Sequence, residues 1–430
     1  MRVSSTMMVN GYQKQLNNAY ENQTRMMEQS DGSKLHRPSD DSVGYSRYLR
    51  YRNSMTENVQ YQDNVGTAIS WMKNTDSAVN DICDCLATVV EKANNAATST
   101  NNEVDMRAIA KEMTAMIQQA VSDANVNVDG HYLISGQSDL IQPYIMSEEK
   151  HDRGLAKTLD DGQSSFFNDT GTFNSMQQML TLEGDDGKTY YVDTKTGDVY
   201  SKDFMDSGYK EVVAGGRKTA DPAQDSAGNI GPVDVGSNFD TKGVITAAGK
   251  TWSQSITVDG NSVELKFATV SQYIVTYNGD NKQISMVKQN GAIQPTADTV
   301  NLTGNAMCGG DIFDPDGQSG AAAFNNVLAV AAMTERGENN WISSDGITLA
   351  NNSYDTVLNS ETTLAARQQV YTAVQTMLEK QNVTITSDIS KVADTDVAKL
   401  AIDLMTMQTI YNMSLSVGGR ILPGSLADYL

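Results

Sequence analysis

Apolar residues recur at alternating spacings of four and three near the end of the chain, between Ser387 and Val417. The stretch contains neither proline nor glycine. The pattern therefore predicts one long last helix that carries the seam of a coiled coil. The seam consists of Ala393, Val397, Leu400, Leu404, Met407, Tyr411 and Ser414.

Other apolar residues of this helix lie outside the seam, and no charged residue occurs between Leu404 and Gly419. A helix that is apolar on more than one face needs more than one neighbour, so we expect a deep core or assembly into a polymer. Polar residues interrupt the stretch too often for a membrane span, which needs roughly 18 or more mainly apolar residues. The apolar residues outside the seam are Ile402, Met405, Ile410, Met413, Leu415 and Val417.

A similar stripe predicts the first helix, from about Ser4 to Ser30, with Gln23 as its one polar member. This helix is also poor in charge. Neither terminal helix can bury its seam alone, so we expect the two to pair. The stripe consists of Val9, Tyr12, Leu16, Ala19 and Met26.

A turn-forming segment separates the first helix from the second. The run Asp31-Gly32-Ser33 ends the first helix. Proline favours an extended conformation in the residue before it, and serine or aspartate can cap the N-terminus of the helix that follows. The turn and cap are therefore assigned to Arg37, Pro38, Ser39, Asp40 and Asp41.

Further helices are predicted at about 41–97, 103–125, 322–335 and 346–380. The second helix keeps heptad spacing from Val65 to Ala93. At 1.5 Å per residue it would be roughly 80 Å long if unbroken, which suits a rod better than a compact core. A methionine stripe in the third helix, from Met106 to Met116, indicates core packing.

The middle of the chain is rich in turn residues, since residues 126–340 hold 25 of the 33 glycines. Short strands are predicted there, including one at 188–194. One predicted hairpin joins residues 252–258 to 262–267 through Asp259-Gly260. A second joins residues 273–277 to 283–287 through Asn278-Gly279. Residues 214–238 are expected to form a loop or a subdomain boundary.

The predicted fold class is mainly α with inserted β. A long coiled-coil-like helical rod is built from both chain termini, and a turn-rich β domain is inserted at its tip. We assign the terminal helices to 1–40 and 386–430 and the helical rod domain to 41–140 and 324–385. The inserted β-rich outer domain, with room for two subdomains, is assigned to 141–323.

Charge and motifs narrow the function classes. The chain has 32 basic and 53 acidic residues, a formal charge of −21, which argues against nucleic-acid binding. Neither HExxH nor GxSxG occurs, and both GKT runs lack the earlier glycine of a phosphate-binding loop. Cys83 and Cys85 are interpreted as small buried hydrophobic residues and not as ligands of a metal site. Nothing in the sequence supports an enzyme, no metal or cofactor is assigned, and the N-terminus lacks the apolar run of a cleaved signal peptide.

Several segments together resemble the flagellin superfamily: the start Met1-Arg2-Val3-Ser4, the turn region 33–44, the run 130–136, and Leu364-Ala365-Ala366-Arg367. Within it, the start, the Pro-Ser-Asp-Asp run at 38–41 and the ending Asp428-Tyr429-Leu430 are similar to the hook-associated protein 3 family of hook–filament junction proteins. Ser42, where a second proline is common, and the Pro-Gly pair at 423–424 depart from the family pattern.

The resemblance implies a structural subunit of the extracellular bacterial flagellum, exported by the flagellar type III apparatus without a cleaved signal peptide. Its terminal helices would form the inner axial layer and be disordered in the monomer. The implied partners are further copies in a ring, hook-associated protein 1 on the hook side, flagellin on the filament side, and an export chaperone on the C-terminal helix. Neither nucleic acid nor membrane insertion is implied.

The off-seam residues of the last helix would then contact neighbouring subunits. Two alternatives remain open: a filament flagellin, which shares the helical ends, and a secreted adhesin or enzyme domain on a flagellin-like scaffold. The residues expected at the assembly interface are Val9, Tyr12, Leu16, Met26, Val397, Leu400, Leu404, Met407, Ile410, Tyr411 and Leu415.

Overall fold

The structure is a computed structural model that divides into two compact units. The terminal unit comprises residues 1–66 and 373–430, and the central unit comprises residues 67–372. The residues described are 5–98, 101–158, 178–193, 197–206, 233, 252–258, 260–284, 288–289, 292–293, 299–311, 313 and 319–421.

Helices account for most of the described chain, and the bounds of the first three follow the apolar periodicity closely. They are α1 (Ser5–Glu28), α2 (Ser42–Ala96), α3 (Glu103–Ala124), α4 (Lys202–Asp206), α5 (Gly304–Cys308), α6 (Ala322–Arg336), α7 (Asn339–Trp341), α8 (Ile347–Ala393) and α9 (Val397–Ile421). A 3₁₀ turn, Gln29–Asp31, follows α1, and a π-helical turn, Ile342–Gly346, precedes α8.

The prediction of one unbroken last helix from Ser387 to Val417 was wrong. Helix α8 continues to Ala393 and α9 begins at Val397. The side chain of Asp396 accepts a hydrogen bond from the Lys399 amide at 3.1 Å, which caps the new helix. The periodicity could not reveal this break, because Ala393 and Val397 keep the spacing of the seam across it.

In the terminal unit, α1 packs against α9. The first part of α2 contacts the last part of α8 through amide side chains. Asn58 Nδ2 donates to Gln381 Oε1 at 3.3 Å, and Gln62 Nε2 donates to the Leu378 carbonyl at 3.2 Å. Leu378 and Ile385 are buried in the same unit.

In the central unit, one apolar core joins the rest of α2 with α3, α6 and the beginning of α8. It includes Val79, Ile82, Leu86, Met113, Ile117, Phe324 and Val357. Helix α3 begins with a capping box, in which the Asn102 side chain accepts from the amides of Val104 and Asp105 and the Asp105 side chain accepts from the Asn102 amide. The Cys83 side chain is buried in this core, as the sequence predicts, and Cys85 is half-buried.

Short strands fill the middle of the central unit. They are β1 (Asn127–Val128), β2 (His131–Tyr132), β3 (Tyr144–Met146), β4 (His151–Gly154), β5 (Ala156–Thr158), β6 (Gln178–Gly184), β7 (Thr189–Asp193), β8 (Val199–Ser201), β9 (Ser253–Val258), β10 (Asn261–Phe267), β11 (Thr269–Gln272), β12 (Val275–Tyr277), β13 (Lys288–Gln289) and β14 (Ala292–Ile293).

The largest sheet is antiparallel, with the order β8-β7-β6-β10-β9 and with β5 also paired to β6. The predicted strand at 188–194 is confirmed as β7. The predicted β9–β10 hairpin is confirmed as well, with Asn261 opposite Val258 and Gly260 in a turn. The mainly α fold with an inserted β-rich region is therefore the one that the sequence predicts.

The second predicted hairpin was wrong. Strand β12 pairs with β3, with Val275 opposite Met146, rather than with residues 283–287, of which 285–287 lie outside the described chain. Asn325 fixes β12 in place, because its side chain accepts from the Val275 amide at 2.8 Å and donates to the Val275 carbonyl at 2.9 Å. Of the predicted loop at 214–238, only Val233 is described, and its amide donates to the Val199 carbonyl.

Candidate assembly surface

Helices α1 and α9 meet along the two predicted seams. The seam residues of α1 that are half-buried are Tyr12, Leu16, Ala19, Gln23 and Met26, and those of α9 that are buried or half-buried are Leu400, Leu404, Met407, Tyr411 and Ser414. Both sets keep the four-and-three spacing, so each helix covers one face of the other.

Two specific contacts fix the register of this pair. The Tyr12 hydroxyl donates a hydrogen bond to the Ser414 carbonyl at 2.9 Å. The rings of Tyr20 and Tyr411 pack with their centroids 6.4 Å apart. Val9 belongs to α1, but its side chain lies outside the described residues.

A second face of α9 is apolar and exposed, and we call it the bare face. At about 100° of rotation per residue, Ile402 points away from both Leu400 and Leu404, so this face lies opposite the seam. Met405 is 70% exposed and Met413 is 62% exposed. The bare face consists of Ile402, Met405, Ile410, Met413 and Val417.

The predicted interface residues thus fall into two groups by burial. Tyr12, Leu16, Met26, Leu400, Leu404, Met407 and Tyr411 are buried or half-buried. In contrast, Val397, Ile410 and Leu415 are exposed. The first group can hold α1 and α9 together within one subunit, and the second is available to another molecule.

The turn between α1 and α2 is held by its own acidic side chains. Asp40 accepts from the backbone amides of His36 at 3.1 Å and Arg37 at 2.9 Å. Asp41 accepts from the amides of Val43 at 3.1 Å and Gly44 at 3.0 Å, so Asp41 is the residue that caps α2.

Pro38 and Ser39 lie exposed between Arg37 and Asp40. The exposed Arg37 side chain donates to Glu28 Oε1 at 2.6 Å, which ties the turn to the end of α1.

Hydrogen bonds to the charged forms set the ionisation of this turn. The backbone amides of Arg37 and His36 hold the pKa of Asp40 below its ordinary value. The His36 ring nitrogen, 2.9 Å from Asp31 Oδ2, is the main cause of a lowered pKa at Asp31. Both carboxylates therefore stay ionised well below neutral pH.

The same turn is joined to the break between α8 and α9, a contact that the sequence pattern did not predict. The Lys34 amide donates to the Ala393 carbonyl at 2.7 Å, and the Thr395 amide donates to the Gly32 carbonyl at 2.8 Å. Gly32 adopts a φ of 90°, which favours glycine. The bases of both terminal helices are thus fixed by one short antiparallel bridge, residues 32–34 with residues 393–395.

We call this bridge the double turn. The only sequence signal for it was the cluster of helix-capping residues Asp394-Thr395-Asp396 within an otherwise apolar repeat.

The central unit holds one notable buried ion pair, in which Arg153 contacts Asp311 beside a cavity of about 360 Å³. Burial lowers the pKa of Arg153 to about 9. Burial also raises the pKa values of Cys83 and Cys308 to about 12, which keeps both thiols protonated and unreactive. Within the described chain, no group of three or more His, Cys, Asp or Glu side chains could hold a metal ion, and no helix is long and apolar enough to cross a membrane.

The solved structures that are similar to this chain include the following three flagellar proteins. A putative flagellar hook-associated protein from Vibrio parahaemolyticus is 11% identical, with a TM-score of 0.41, covering 83% of this chain and 100% of its own. Flagellar hook-associated protein 3 from Legionella pneumophila is 12% identical, with a TM-score of 0.37, covering 80% and 98%. FlgL from Xanthomonas campestris is 15% identical, with a TM-score of 0.33, covering 80% and 99%.

No curated protein matches the chain. Residues 3–139, which include α1, the turn, α2 and α3, match the family model described as the bacterial flagellin N-terminal helical region. The segments that carry the resemblance at the start of the chain lie largely within this match. The similarity to bacterial flagellins therefore covers the N-terminal helices of the chain.

Proposed function

We propose that this protein is a structural subunit of the bacterial flagellum that self-assembles through α1 and α9 to form the junction between hook and filament. The observation that carries the proposal is the bare face of α9. It lies opposite the face covered by α1, and no charged residue occurs between Leu404 and Gly419. Such a face suits burial against a further subunit.

The energetics favour this use of the bare face. Covering the five side chains Ile402, Met405, Ile410, Met413 and Val417 would contribute on the order of 5 kcal/mol per subunit, since a fully buried aliphatic side chain contributes about 1.5–3 kcal/mol and these are already partly covered. Repetition around a ring multiplies this contribution. Of the predicted interface residues, Ile410 would lie at this contact, whereas the exposed Val397 and Leu415 flank the seam.

Before assembly, the terminal helices lack that cover. We therefore propose that residues 1–40 and 386–430 are only weakly ordered in the isolated subunit. The rod domain would fold from residues 41–140 and 324–385, and the outer domain from residues 141–323. Ordering a residue costs about 1–2 kcal/mol in backbone conformational entropy, and burial along the single seam between α1 and α9 offsets only part of this cost. Limited proteolysis of the monomer tests this: early cleavage of both ends supports it, and ends as resistant as residues 67–372 contradict it.

The junction position rests on the sequence at the two ends of the chain. The Met1-Arg2-Val3-Ser4 start and the Asp428-Tyr429-Leu430 ending are similar to hook-associated protein 3. In that position the partners are hook-associated protein 1 on the hook side and flagellin on the filament side. An export chaperone would cover the apolar α9 before secretion through the flagellar type III apparatus.

A filament flagellin is the second candidate, and the match of residues 3–139 to the flagellin N-terminal helical region fits it equally well. Deleting the gene separates the two functions. Bare hooks with flagellin shed into the medium would support the junction. Bare hooks without flagellin anywhere would make this protein the filament subunit, and intact filaments would contradict both.

A further inference from the structure

The charge of the chain is divided very unevenly between the two units. The central unit has 20 basic and 40 acidic residues, a net charge of −20, whereas the terminal unit has 12 and 13, a net charge of −1. Within the terminal unit, the basic residues Arg47, Arg50 and Arg52 lie within six consecutive positions of α2. This basic cluster is not needed for the contact between α1 and α9.

Two of these arginines are available for a partner. Arg52 is engaged, because its guanidinium lies 5.9 Å from the Tyr48 ring centroid and donates to the Tyr48 hydroxyl at 2.9 Å. Arg47 and Arg50 are exposed and form no ion pair with any residue that the structure describes. Their spacing of three places them on one face of α2, where Val43, 61% exposed, precedes them by one turn.

An acidic pair with the same spacing lies on the central unit. Asp81 and Asp84 are exposed on α2, and neither forms an ion pair within the described part of the chain. Asp123 lies beside them. Burial and the negative charge of Asp81 raise the pKa of Asp123, whereas its hydrogen bond with Gln119 lowers it. The like charges at this position are therefore not compensated by a described cation.

We propose that Arg47 and Arg50 of one subunit form ion pairs with Asp81 and Asp84 of a neighbouring copy of the same chain. The two pairs have complementary charge and equal spacing. In addition, the central unit of the neighbouring copy has a net charge of −20, which attracts the two arginines. This inference rests on the proposed self-assembly and adds to it a polar contact that selects the position of the neighbour. The apolar face of α9 alone could slide along a partner.

Charge reversal tests the contact in the full-length protein. Arg47→Glu with Arg50→Glu, and separately Asp81→Arg with Asp84→Arg, should each raise the protein concentration needed for assembly by at least about tenfold, because like charges then face each other. Sedimentation and electron microscopy measure assembly. An equimolar mixture of the two variants should assemble near the wild-type threshold. Thermal unfolding of each variant monomer should match the wild type, since all four positions are exposed.

The matched control changes charge elsewhere on the central unit. Glu148→Arg with Glu149→Arg gives the same net charge as the aspartate variant, at two exposed neighbouring positions. When this control is mixed with the variant that carries Arg47→Glu and Arg50→Glu, assembly should not be restored. Equal restoration by this control would show that only net charge matters and would overturn the specific contact.

Cross-linking gives a direct readout. In the conservative variant Arg47→Lys with Arg50→Lys, a carbodiimide should join position 47 or 50 to Asp81 or Asp84 of another copy, identified by mass spectrometry of mixed isotope-labelled chains. If assemblies form without such links and charge reversal leaves their threshold unchanged, the ion pairs are refuted while self-assembly stands. If the wild type itself never assembles, alone or on isolated hooks, both proposals are overturned.

Discussion

The two faces of α9 can be separated by one pair of substitutions. Met405 lies on the bare face and is 70% exposed, whereas Leu400 lies in the seam and is 8% exposed. Met405→Asp should change monomer stability by about 0.5 kcal/mol or less, as exposed substitutions generally do. Leu400→Ala removes buried methyl groups from the seam and should shift the weakly ordered α1–α9 pair of the monomer toward its open form by about 2–3 kcal/mol, which speeds cleavage of both terminal helices. Urea unfolding, followed by circular dichroism and by proteolysis of the terminal helices, measures both.

The effects of the two substitutions on assembly should be reversed, with Met405→Asp impairing assembly more than Leu400→Ala does. A carboxylate at position 405 would be desolvated against the neighbouring subunit at a cost of several kcal/mol, which raises the assembly threshold by about a hundredfold or more. Gln408→Asp is the matched control, since position 408 is exposed on the same helix but not on the bare face. If Met405→Asp assembled like the wild type, or destabilised the monomer as much as Leu400→Ala, the assignment of the two faces would be wrong.

Three further predictions concern charge and burial. Asp311→Ala should lower the unfolding free energy of the central unit by about 3–5 kcal/mol, because it leaves Arg153 buried without its carboxylate partner. Replacing both residues, with Arg153→Met and Asp311→Leu, should lower it clearly less. A double-mutant cycle of urea unfolding measures the difference. Because hydrogen bonds from the Arg37 and His36 amides lower the pKa of Asp40 in the folded protein, its contribution to stability is present above the unfolded value of about 3.9 and is lost as the pH falls through the folded value. Asp40→Asn should reduce the acid dependence of proteolysis in the turn between α1 and α2, and Asp31 accounts for the part that remains. Cys83 and Cys308 should not react with a thiol reagent at pH 8 until the protein unfolds, since both are buried and the pKa of each is raised to about 12.

The sequence was a good guide to the helices because their apolar spacing is a local property. The bounds of α1, α2, α3 and α6 fall within one or two residues of the predicted ones. The β9–β10 hairpin was equally predictable, since its Asp-Gly turn joins two strands that are neighbours in the chain.

Long-range pairing was not predictable in the same way. Strand β12 pairs with β3, which is about 130 residues earlier, because a buried asparagine on α6 fixes its backbone. The turn sequence Asn278-Gly279 gave no sign of this. The double turn is a second case: residues 32–34 and 393–395 are distant in the chain, and only their hydrogen bonds reveal that they form one element.

The double turn also explains why the last helix is broken where it is. Had α8 continued into α9, the Thr395 amide would have bonded within the helix rather than to the Gly32 carbonyl. The break gives both terminal helices a common base, so that α1 and α9 can pack along their seams and leave the opposite face of α9 uncovered. The feature that the periodicity hid is thus the one that joins the two ends of the chain into a single folded element.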